Sequence, residues 1–190
     1  MGTSPFSRKE LTSLLFLTVL FYLNFTARVL PSPLGPVLED AFGISNTGSG
    51  LLFLLISVGF LAGMLGALLL AGRTTHRRIL LGSTFCLGLA LLATAGAVAL
   101  WQLQLGMLAI GLATGVYLPS ALPTLTTLIE PEHWGKAIGI HELAPSLAFI
   151  SAPALAELAM SLCSWRSTFF GAGLAVFALG LLYARFGEGG

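Results

Sequence analysis

Of the 190 residues, 56% are hydrophobic, and only nine basic and eight acidic residues carry charge. A soluble domain has roughly 25% charged residues and needs a mixed charged surface, so a soluble fold is excluded. A net charge of +1 leaves no basic patch for nucleic acid, and apolar residues dominate too evenly for disorder.

A helix that crosses the hydrocarbon core needs about 20 mostly apolar residues, and six stretches meet that length. The chain therefore reads as an all-α integral membrane protein with six transmembrane helices in one domain over residues 1–190. The first helix is predicted over residues 11–41. On it Phe21, Asn24 and Arg28 fall at i, i+3 and i+7, on one face. An arginine at helix centre costs about 2.5–3.5 kcal/mol on insertion scales. Its presence points either to an anion, an acidic partner or water in a nearby cavity, or to a side chain that snorkels to the headgroups beyond Pro31.

The second helix is predicted over residues 50–71 and carries Gly59, Gly63 and Gly66, small residues that permit close approach of another helix. Arg73, Arg77 and Arg78 follow it. The third, over 79–100, has no internal charge. The fourth, over 103–129, places Thr114, Tyr117, Ser120 and Thr124 near one face, between or beside Pro119 and Pro123. Hydroxyls of this kind often bond their own helix carbonyls. Tyr117, with a phenol and an aromatic face, is the stronger candidate for a pathway.

The fifth helix, over 136–160, sets Glu142, Ser146, Phe149, Pro153 and Glu157 on one face, with His141 beside it. A buried His-Glu pair can relay protons; it can equally be a packing pair next to the basic loops. The sixth helix, over 167–183, is again free of internal charge. Arg8, Lys9, Arg73, Arg77, Arg78, Lys136 and Arg185 all fall at one end of such a bundle, with Arg166 at the other. Positive residues stay inside, so both termini are expected in the cytoplasm, for a multi-pass protein of the plasma (bacterial inner) membrane.

No enzyme motif survives inspection: GxSxG, HExxH and a phosphate-binding glycine loop are all missing from the sequence. Cys86 and Cys163 lack a CxxC or histidine companion, so no metal or cofactor is expected. His133, Glu130 and Glu132 form the only other chemical cluster and read as a solvated turn. Transport or binding is preferred over catalysis. Leu30-Pro31-Ser32 recurs as Leu118-Pro119-Ser120 at an offset of 88 residues, a spacing that suits two inverted three-helix repeats.

These residues resemble the N-terminal half of the major facilitator superfamily. Arg28 to Ser32, followed by Leu38 to Ser45, is similar to the first helix and outer loop of organic-anion carriers in that family. Ala71 to Arg78 resembles its signature between helices 2 and 3, with Gly72 where Asp is usual and Thr75 where Gly is usual. Ala152-Pro153-Ala154 is similar to its glycine-proline motif in helix 5. The resemblance implies that helices 1 and 4 line a cavity, helices 2 and 5 border a second half, and helices 3 and 6 face lipid.

It further implies a secondary transporter of a small anionic solute. By that resemblance Arg28 would contact the anion; the polar faces read above add Asn24, Tyr117 and Thr124 as substrate-binding candidates and His141 and Glu142 as proton-coupling ones. Arg73, Arg77 and Arg78 would form a cytoplasmic gate, and Gly59, Gly63, Gly66, Ala152, Pro153 and Ala156 would meet the second half. Family members have two six-helix halves. The expectations for this chain are therefore a half-transporter pairing with another half, most economically as a homodimer, a non-transporting accessory module, or a fragment of a twelve-helix protein.

Overall fold

The computed structural model describes residues 6–188 except Cys163, and among the described residues it contains helices and no strands. The elements are α1 (Arg8–Val29), α2 (Pro31–Phe42), α3 (Asn46–Ala71), α4 (His76–Ala95) and α5 (Leu100–Leu128). A 3-10 turn at Pro131–His133 leads into α6 (Trp134–His141), α7 (Leu143–Leu162) and α8 (Trp165–Phe186). They make six helical spans long and apolar enough to cross a membrane, with α1–α2 forming the first and α6–α7 most of the fifth.

Local chemistry sets the boundaries. Ser7 and Glu10 cap α1 reciprocally, the Glu10 carboxylate accepting from the Ser7 backbone N–H at 2.8 Å. The first span is interrupted at Leu30, where Pro31 opens α2 without a backbone donor. It stops at Gly43, whose φ of 62° is the left-handed turn that glycine takes without strain. The third span ends at Ala95, earlier than the sequence pattern suggests. Gly96 donates back to Leu92 and Ala93, and Gln102 Oε1 accepts from Val98 and Ala99 to start α5.

The α3–α5 contact is the closest in the bundle. A Cβ on Gly59 or Gly63 would meet the carbonyls of Leu108 or Leu112, and one on Gly111 or Gly115 would meet those of Ile56 or Phe60. Four glycines thus let two backbones touch, the small-residue packing that membranes favour because lipid supplies no hydrophobic drive between helices. On the far side, α4 and α8 cross where Gly88 faces the Phe177 ring.

Two arginines tie the ends of that second pair. Arg77 at the start of α4 donates to the Ala184 carbonyl (2.7 Å) and the Gly187 carbonyl (3.3 Å) at the end of α8. Arg166 at the start of α8 donates to the Ala97 carbonyl just past α4, at 2.8 Å. The two arginines lie one residue off the offset of the Leu-Pro-Ser repeat. Each thus binds backbone carbonyls at or just past the far end of the other helix of the pair.

Candidate functional site

The cavity that holds Arg28 lies between the first, second and fifth spans. It measures about 350 Å³ and is lined by Phe25, Arg28, Val29, Ser32, Phe53, Ile56, Ser57 and Phe149. Its aromatic wall is built by Phe25 and Phe149, edge to face at 5.2 Å. The guanidinium carbon sits 3.9 Å from the Phe60 ring centroid and 5.0 Å from that of Phe25. Phe60 lies near the middle of α3, so Arg28 stays at mid-depth and does not reach the span end. Cation–π contact on two faces holds the charge in place. Among the described residues no acid pairs with it, and its Nε is buried without a hydrogen-bond partner. Arginine presents a planar fork of donors suited to a carboxylate or phosphate.

The other residues expected beside Arg28 lie elsewhere. Asn24 is buried one turn away and does not line the cavity. Thr124 is buried further along α5, with its hydroxyl donating to the Ser120 carbonyl at 2.7 Å, the local bond that removes a threonine from service. Tyr117 is also buried, and its hydroxyl donates to the Leu17 carbonyl at 2.7 Å. Neither lines the Arg28 cavity. Of the aromatic groups around Arg28, periodicity singled out only Phe149, on the polar face of the fifth helix. Phe25 was visible at i−3 from Arg28, whereas Phe60, on another helix, carried no signal.

Tyr117 instead belongs to a second cluster with His141. The Phe21 ring lies parallel to those of His141 (4.5 Å) and Tyr117 (5.5 Å). His141 is fully buried, with Nε2 at 3.4 Å from the Tyr117 hydroxyl and Nδ1 at 3.3 Å from Glu142. Glu142 is half exposed. A hydroxyl pair, Tyr22 to Ser151 at 2.7 Å, ties the first span to the fifth nearby.

Of the six small residues expected at a second half, four are packed within this chain. Gly59 and Gly63 meet α5 of the same chain, and Ala152 and Ala156 are buried in its own core. A surface already filled within the chain is not open to another. Gly66 has nothing within 4 Å of where a Cβ would stand, and Pro153 is exposed. Among the three arginines expected at a gate, Arg77 is occupied as the α8 cap, while Arg73 and Arg78 are exposed.

Six apolar helical spans make this a polytopic helical membrane protein, with a cation unpaired among the described residues beside an aromatic-lined cavity. The chain belongs to the major facilitator superfamily, whose family model matches residues 14–188. It is 28% identical over 151 residues to the uncharacterized transporter YgaY of Escherichia coli strains K12 and O157:H7, a match covering 78% of this chain and 38% of that protein. The fold also matches a bacterial homolog of the human lysosomal transporter Spinster in two inward-facing crystal structures. The unoccupied one has a TM-score of 0.82 at 18% identity, and the occupied one 0.83 at 20%. These alignments cover 99% of this chain and 44% or 46% of the Spinster homolog. The chain thus spans less than half the length of the relatives it matches.

Proposed function

We propose that the protein transports a small organic anion by alternating access, with Arg28 as the anion-binding group and a second six-helix half completing the cavity. One observation carries this reading: a cation at mid-depth, unpaired among the described residues, faces a cavity walled by aromatic rings. A single charge beside Phe25, Phe53 and Phe149 suits a monoanion with a flat apolar body. The excess of basic residues at the end bearing both termini supports a cytoplasmic placement of that end, in a plasma membrane. There the exposed Arg73 and Arg78 are the groups free to make gate contacts.

Benzoate, a flat monoanion, is the probe for the site. Its binding to the chain in lipid nanodiscs should weaken about 10–100-fold in Arg28→Gln, from the roughly 1.5–3 kcal/mol of a charge-assisted hydrogen bond. Arg28→Lys keeps the charge without the fork and should fall between. Equal binding by all three would leave Arg28 a packing residue.

The second half is supported by the outward face of the fifth span. Glu142, Ser146, Phe149, Pro153 and Glu157 are all exposed there, and charged groups facing lipid are costly. A second copy of the chain is the simplest partner, since closed two-fold pairs dominate oligomers. Native mass measurement in nanodiscs should find two chains per particle. A particle with one chain that still transports benzoate would refute the pairing, and one without activity would favour an accessory module or a missing half.

A further inference from the structure

We infer that His141, Glu142 and Tyr117 form a proton-binding site that is loaded in this conformation and controls a tether between the first and fourth spans. The site itself stands on geometry; only its use as a coupling site rests on the transport reading.

A phenol has one proton to give. Tyr117 donates it to the Leu17 carbonyl, at 2.7 Å. Toward His141 Nε2, 3.4 Å away, its oxygen can then only accept, so Nε2 carries a hydrogen. The other nitrogen, Nδ1, faces Glu142 Oε1 at 3.3 Å, and an ionised carboxylate only accepts. A hydrogen must lie in that contact as well. The three bonds together require one proton more than a neutral imidazole and a carboxylate hold, as an imidazolium–carboxylate pair or its neutral equivalent.

Among the described residues Glu142 is the one charged group paired with the imidazole. The first span packs the Phe21 ring against the imidazole at 4.5 Å. Tyr183 of α8 belongs to the same packed cluster, but its hydroxyl is committed to the Glu188 carbonyl at 3.0 Å. Lys136, the other charged residue of α6, is exposed. Glu142 alone joins the buried ring to the outside, its side chain 47% exposed.

On release, one proton leaves through Glu142 to water and the ring keeps one. Holding that hydrogen on Nδ1 preserves the charge-assisted bond to the carboxylate and leaves Nε2 a bare acceptor. The single Tyr117 proton is then contested between Nε2 and the Leu17 carbonyl. Loading therefore secures the α1–α5 tether, and unloading weakens it. The site sits at the α6–α7 junction, where the helix is interrupted at Glu142, so the fifth span shares the change.

The test is nitrogen NMR of isotope-labelled histidine in the chain, in lipid nanodiscs at neutral pH. The chain has three histidines, and His76→Gln with His133→Gln leaves His141 as the sole signal. Expected is a ring protonated on both nitrogens, or on Nε2 with the proton shared toward Glu142. Glu142→Gln should leave a single ring proton, and Tyr117→Phe should release the requirement for hydrogen on Nε2. A wild-type ring protonated on Nδ1 alone overturns the inference without any variant in the cluster. So does a doubly protonated ring that neither substitution changes. Loss of benzoate binding plays no part in this readout, so failure of the Arg28 site leaves it standing.

Discussion

Gly111→Leu should abolish the folded bundle, and Gly111→Ala should lower its melting temperature by about 6–12 °C. A Cβ at Gly111 points onto the Ile56 carbonyl, which is backbone and cannot turn aside. The α3 and α5 helices would have to separate along the whole stripe that Gly59, Gly63, Gly111 and Gly115 share. Overpacking costs about 1–3 kcal/mol where side chains can yield, so a backbone contact belongs at the upper end. About 3 kcal/mol corresponds to that shift in a chain of this size. Gly66→Ala is the internal comparison. It meets nothing within 4 Å and removes a glycine from a helix interior, which should raise stability by up to about 1 kcal/mol. Thermal melting in nanodiscs reads both. Equal melting of Gly111→Ala and wild type would show that the two helices are not held this close.

Arg77→Ala should destabilise the chain by about 1.5–3 kcal/mol, the range for hydrogen bonds to a charged group. Arg73→Ala and Arg78→Ala should melt like wild type. Arg77 donates to two carbonyls at the end of α8, where no further turn supplies donors and where the helix dipole also favours a cation. Arg77→Lys should recover only part of the loss, because an ammonium cannot span both carbonyls in one plane. Arg166→Ala should show a similar loss at the opposite end, through Ala97. If Arg73, Arg77 and Arg78 proved equivalent in melting, the cap would be dispensable and Arg77 would return to the gate with Arg73 and Arg78.

The number of spans, their approximate limits and the poverty of charge in the third and sixth were legible before any coordinates. The bilayer imposes length and polarity on each segment separately, so a local pattern suffices. Helix ends are set by equally local chemistry, at Ser7 with Glu10 and at Gly43, but hydropathy alone places the first start at residue 11 and misses that cap. Arg28 stood out because a charge in hydrocarbon is costly wherever it packs.

Tertiary structure alone decided what those features face. A stripe of small residues records that another helix comes close and nothing about which one. Gly59 and Gly63 could have served a second half, and they serve Gly111 and Gly115 of the same chain. The face shared by Tyr117 and Thr124 did not put them beside Arg28. One hydroxyl turns to its own helix at Ser120 and the other to the first span at Leu17, each sharing a helix carbonyl through its second lone pair. Phe60 meets Arg28 from a helix that local periodicity cannot connect to it. Periodicity orients a residue about its own helix axis; the rotation and crossing of the neighbouring helix, set by the glycines, choose its partner.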